Sequence, residues 1–166
     1  MEQEVLINCE YGGYCLSYPV VQKIADIKGD KIYWYVHVEN TENSESSDTN
    51  KYTYKRIPYK DAHKYSSIKL TATTKDYGES MHVIFIDHRY KYDLFNLNVM
   101  HQVDKRYRTD KAIIEAVKSL GLQKSSGSYC TLKIVKIPKY CYFTIINYLG
   151  KESLVYTEKD KMHKIS

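Results

Sequence analysis

The sequence predicts an α+β fold, with two amphipathic helices on one face of a mainly antiparallel sheet of about six to eight strands. Two segments, one after Ser17 and one after Thr109, carry apolar residues at helical spacing and stop at a glycine. Most other apolar residues fall in short runs rich in Val, Ile and Tyr, bounded by turn residues, as strands are. The chain has 166 residues, 43% hydrophobic and 27% charged. That is enough for one core and too little for two ordinary domains, so a single domain over 1–166 is expected.

Residues 3–8, Gln3 to Asn8, read as a short strand running into a turn at Tyr11-Gly12-Gly13-Tyr14. A helix follows. Ser17 suits its N-cap, Pro19 is tolerated in a first turn whose N–H groups lack partners anyway, and Val20, Val21, Ile24 and Ile27 form one face before Gly29. Lys31 to Glu39 has the β-branched and aromatic density of a strand. Residues 40–50 contain no apolar side chain and cannot offset their ordering entropy by burial, so a mobile loop is expected there. Residues 51–57, 67–74 and 81–87 read as further strands, while 88–105 fit neither period and are expected to be irregular with an exposed edge.

The second helix is expected to begin at a Thr109 cap, with Asp110 at the positive end of the dipole and Ile113, Ala116, Val117 and Leu120 on one face before Gly121. A Ser/Gly-rich loop at 124–128 leads to a strand from Leu132 to Ile137, closed by Pro138. Tyr142–Tyr148 and Ser153–Thr157 read as two strands joined by a turn at Leu149-Gly150-Lys151-Glu152. The tail from Glu158 is polar and expected to fray.

Tyrosine supplies 18 residues, against 3 Phe and 1 Trp. Tyrosines suit half-buried strand positions, and a partly exposed Tyr-rich sheet face would also serve as a contact surface for bases or a protein. Residues 1–100 carry 12 basic and 14 acidic side chains and residues 101–166 carry 13 and 6, so the two parts hold −2 and +7. The four cysteines, Cys9, Cys15, Cys130 and Cys141, lack zinc-knuckle spacing and are expected to be free thiols, with no metal and no cofactor. No apolar run approaches the ~18 residues of a membrane-crossing helix, and the polar start Met1-Glu2-Gln3-Glu4 is unlike a secretory signal, so no membrane partner and an intracellular address are expected.

Three of these segments together resemble a family of small uncharacterised proteins of bacteriophages, some bacteria and large DNA viruses. The first is Cys9-Glu10-Tyr11-Gly12-Gly13-Tyr14-Cys15-Leu16-Ser17, similar to a Cys-Tyr-Gly-Gly-Phe loop followed by Leu-Ser, with Tyr14 in place of Phe. The second is Arg108-Thr109-Asp110 through Leu120-Gly121, similar to an Arg-x-Asp-Pro helix, with Lys111 in place of Pro. The third is the Leu-Lys-Ile-Val-x-Ile-Pro strand at 132–138 with its hairpin, where Tyr148-Leu149-Gly150-Lys151-Glu152 stands for Tyr-Asp-Gly-x-Glu. The resemblance covers about the first 30 and last 55 residues, and implies a lineage-specific insert at about 31–100 and a viral origin, in the host cytoplasm or the virion.

A Gly12-Gly13 turn before a helix N-terminus has backbone donors for an anion, with Tyr11, Tyr14 and Ser17 beside it, but it lacks the Lys-Ser/Thr of a phosphate loop. His82 and His88 share one side of a strand and Asp87 the other, so no His–Asp dyad is expected, and no nucleophile motif or close carboxylate pair is present. Arg106, Tyr107 and Arg108 lie in the one dense charged-aromatic cluster, where a polyanion contact would also draw on Lys105, Lys133, Lys136 and Lys139. The expected function is that of a non-catalytic viral accessory or assembly protein working through protein–protein contacts, a second copy included. The alternatives are a nucleotide or phosphate ligand at Gly12-Gly13, or sequence-independent nucleic-acid binding through the basic C-terminal part.

Overall fold

The chain divides into two compact units, residues 1–29 with 98–166, and residues 30–97. The computed structural model describes residues 1–38, 51–66, 69–84, 94–95, 105–158 and 161–166. The expected loop at 40–50 and most of the irregular stretch at 88–105 lie outside the described residues. Every strand pairing among the described residues is antiparallel and the α-helices fall in only two stretches between strands, so the α+β class holds. The strands among the described residues are shared among three sheets.

In the first unit, β1 (Glu2–Asn8) pairs antiparallel with β7 (Leu132–Pro138), and β8 (Tyr142–Tyr148), β9 (Lys151–Glu158) and β10 (Lys161–Ile165) form a second sheet in the order β10-β9-β8. Strand alternation explains the core between them. Val5 and Ile7 of β1, Val135 and Ile137 of β7 and Leu154 of β9 form one buried cluster, closed by Phe143, Ile145, Tyr156 and Ile165. Helix α1 (Tyr18–Lys28) packs on α3 (Lys111–Leu120), and α3 packs on β1, where its Lys118 Nζ meets Glu4 Oε2 at 2.6 Å. Ile113, Ile114, Ala116 and Val117 of α3 are buried, as the 3.6-residue period requires.

Several boundaries differ from the sequence reading, each for a local reason. The cap of α3 is Asp110 rather than Thr109, because the Asp110 carboxylate accepts from the backbone N–H groups of Ala112 at 2.8 Å and Ile113 at 3.2 Å. Ser17 does occupy the N-cap position of α1, but its hydroxyl donates to the Lys124 carbonyl at 2.6 Å instead of capping. That carbonyl belongs to α4 (Leu122–Ser125), a single turn that overlaps the start of the expected loop at 124–128, and α2 (Lys105–Arg108) is another short turn before α3. Residues 161–165 form a strand where a frayed tail was expected: pairing with β9 satisfies the backbone groups along one edge, Ile165 joins the core, and the His163 ring stacks 4.9 Å from that of Tyr156.

The second unit is a five-stranded antiparallel sheet in the order β5-β3-β2-β4-β6, from β2 (Tyr33–Val38), β3 (Lys51–Ile57), β4 (Leu70–Thr73), β5 (Ser80–Ile84) and β6 (Leu94–Phe95). Central β2 carries Trp34, Tyr35 and Val36, all buried. A 3₁₀ turn at Tyr59–Lys64, which the sequence reading missed, lies next to β2 and sets the Tyr59 ring 5.7 Å from Trp34. The fully buried Tyr35 has a satisfied hydroxyl, which accepts from the Tyr77 N–H at 3.0 Å and donates to the Gly78 carbonyl at 3.2 Å.

Candidate functional site

Three separate parts of the chain meet inside the first unit. β1 delivers Asn8, the loop after it delivers Tyr14 and Cys15, α2 delivers Arg108, and the β8–β9 hairpin delivers Gly150 and Glu152. Arg108 and Glu152 form a two-point ion pair, Nη1 to Oε2 at 2.8 Å and Nη2 to Oε1 at 2.7 Å, with side chains only 3% and 2% exposed. Nη1 also donates to the Leu6 carbonyl at 3.1 Å, the Asn8 N–H donates to Glu152 Oε2 at 2.9 Å, and the guanidinium carbon lies 3.3 Å from the Tyr14 ring centroid. Buried charges are tolerable only when paired and hydrogen-bonded, and this pair meets that condition.

Arg108 and Tyr14, read from the sequence as contact-surface residues, are therefore interior. Arg108 is withdrawn from any polyanion face by the carboxylate that neutralises it. The Lys133 Nζ donates to the Ser166 carbonyl at 2.7 Å and the Lys136 Nζ sits 3.8 Å from Glu2, so these two cations are also turned to partners within the chain. Tyr107 is half-buried, and the side chain of Arg106 lies outside the described residues.

The Gly12-Gly13 turn is built against the hairpin. A Cβ on Gly150 would lie 2.5 Å from the Gly12 nitrogen and closer still to that of Gly13, so both N–H groups are set against the hairpin backbone. Asn8 fixes this contact: its Nδ2 donates to the carbonyls of Glu10 and Gly150, and its Oδ1 accepts from the N–H groups of Glu10 and Thr131. A close approach of three glycines is a structural reason for Gly at these positions.

The chemistry of the cluster is quiet. The Cys15 N–H points at Cys130 Sγ, 3.4 Å away, and burial pushes the Cys130 thiol up to about 11 and the Cys15 thiol upward as well. Burial likewise raises the Tyr14 phenol, against the opposing pull of Arg108. A nucleophile needs a thiolate at neutral pH, and these thiols stay protonated. All four cysteines are free, and among the described residues no three His, Cys, Asp or Glu side chains converge as a metal would need.

The surface shows what the sequence reading missed. Among the described residues only Tyr129, Tyr140 and Leu149 are non-glycines at positive φ, of 60°, 80° and 50°, and all three side chains are 73–80% exposed. Tyr129 and Leu149 flank the Gly12-Gly13 turn, where Tyr11 is also exposed and has the Lys151 Nζ 5.5 Å above its ring. The Leu149-Gly150 pair was legible as a hairpin turn, and such a turn requires positive φ at its first residue. Family models, curated proteins and solved structures, compared with this chain, yield no match.

Proposed function

We infer that this chain is a non-catalytic accessory or assembly protein that works through protein–protein contact at the loop cluster of Tyr11, Tyr129 and Leu149. One observation carries the reading: the residues in left-handed backbone are large and apolar, and they are exposed. A side chain at such a position costs roughly 1–2 kcal/mol relative to glycine, and an exposed ring or isobutyl group returns nothing to the core. Folding by itself favours Asn, Asp or Gly at these positions. Contact with a partner supplies the missing reason, because strain and uncovered apolar groups collect where a surface is used. The buried Arg108–Glu152 cluster holds the loops that present these side chains. The resemblance of the same three segments to phage and large-virus proteins supports placing this role in a virus.

The test separates stability from contact. Leu149→Asn and Tyr129→Asn should each stabilise the fold by about 0.5–1 kcal/mol, read as a rise in thermal midpoint. Benzoylphenylalanine at position 11, irradiated in the cells that make the protein, should give a discrete cross-linked adduct that the two Asn variants abolish. An adduct that survives both substitutions, or no adduct, would refute the reading.

A further inference from the structure

The sheet of β8, β9 and β10 has one face on the core and one in solvent, and the two differ in chemistry. The core face carries Phe143, Ile145, Leu154, Tyr156 and Ile165, and by strand alternation the two carboxylates Glu152 and Glu158 point the same way. On the outer face, cross-strand pairing sets Thr157 between Tyr142 and Met162, Val155 beside Lys164, Ile146 beside Ser153, and Tyr148 beside Lys151. Tyr142 is 91% exposed, Met162 78% and Tyr148 68%. No Asp or Glu belongs to this face.

We propose that this outer face is a platform for single-stranded nucleic acid, on which Tyr142 and Tyr148 stack bases and Lys151 and Lys164 meet phosphates. Six residues of strand separate the two rings by about 20 Å, a span that suits an extended strand running along β8. The occupant follows from charge and shape together. A second copy of the same face would set lysine against lysine. Duplex DNA would satisfy the lysines but hides its base faces in the stack, so only a single strand uses both rings and cations. Thr144 and the exposed Ile146 lie between the two rings along β8, with Thr157 opposite Tyr142 and Ser153 opposite Ile146, so the rings stand at opposite ends of the strand rather than side by side as the apolar centre of a protein interface would set them. This face adjoins the loop cluster at its hairpin end, where Lys151 also lies over the Tyr11 ring, but its stacking residues Tyr142 and Tyr148 play no part in that reading and the proposal does not depend on it.

The test is fluorescence anisotropy of the full chain at about physiological salt with a labelled oligothymidine of about 12 nucleotides, a length within the range that such platforms hold. The expected result is binding at least tenfold tighter than to a duplex of equal length. Losing each stack by Tyr142→Ala or Tyr148→Ala should weaken binding about 5- to 150-fold, while Tyr142→Phe retains it. Lys164→Gln should lower the slope of log affinity against log salt by about 0.7. Both tyrosines are exposed, so the variants should melt with the parent, which separates a lost site from a lost fold. Absence of binding, equal affinity for duplex, or indifference to both Ala variants would overturn the proposal. So would a self-association by light scattering that Tyr142→Ala abolishes, which would assign the face to a second copy, or displacement of the oligonucleotide by polyglutamate at equal charge, which would assign it to an acidic polypeptide.

Discussion

Tyr14 and Tyr142 are both tyrosines of the first unit, yet one is 1% exposed and the other 91%. Around Tyr14 every strong group is answered: Arg108 by Glu152 and the Leu6 carbonyl, and Glu152 also by the Asn8 N–H. Tyr142 stands in water, and the outer-face positions of its sheet carry no carboxylate. The contrast teaches how to divide structural from contact roles in a chain with no catalytic signature. Groups whose desolvation is compensated by geometry hold the fold together, whereas groups left in water at a cost to the fold point outward to a partner.

Cutting the interior side of this contrast should have the largest effect. Glu152→Leu strands the buried Arg108 guanidinium and should cost about 3–5 kcal/mol in urea unfolding, while Arg108→Met combined with Glu152→Leu should recover much of that loss. A deficit in the double variant equal to that of Glu152→Leu would show that the pair is not the source of the stability. Gly150→Ala places a methyl 2.5 Å from the Gly12 nitrogen at a residue with φ of 93°, and about 2 kcal/mol of destabilisation is expected. The interior is also chemically sealed. Burial foremost, against the Cys15 N–H that favours the thiolate, pushes the Cys130 thiol up to about 11. Alkylation of Cys130 at pH 8 should therefore run about a hundredfold slower in the folded chain than in urea, the gap closing as pH approaches the folded value. Because the folded state holds this proton more tightly, its stability contribution is full below the ordinary 9.0 and fades as pH rises toward about 11. On the exposed side, Tyr142→Ser should change unfolding free energy by no more than about 0.5 kcal/mol. A larger loss would mean that the ring packs and would collapse the distinction.

The parts legible in sequence were those set by local rules. Helix α1 ends at Gly29, whose φ of 72° a side chain resists, and β1, β7 and β8 form where their short apolar runs predict strands. The strand at 161–165 was illegible because Lys-Met-His-Lys-Ile has too little apolar alternation to announce a strand, and only the edge of β9 makes it one. The candidate site was half legible: the Gly12-Gly13 turn and Arg108 were singled out, but as surface features. Arg108 and Glu152 are 44 residues apart in the chain, and no local pattern says that two such charges meet in the interior.

From sequence alone came the α+β class, the two main helices and the free cysteines, all of which depend on residue type and short-range spacing. Tertiary structure alone decided the direction of each charge and ring. Burial is a long-range property: Tyr14 lies under Arg108 because β1, α2 and the β8–β9 hairpin converge, and Tyr142 faces water because its neighbours Phe143 and Ile145 take the core side of the same strand.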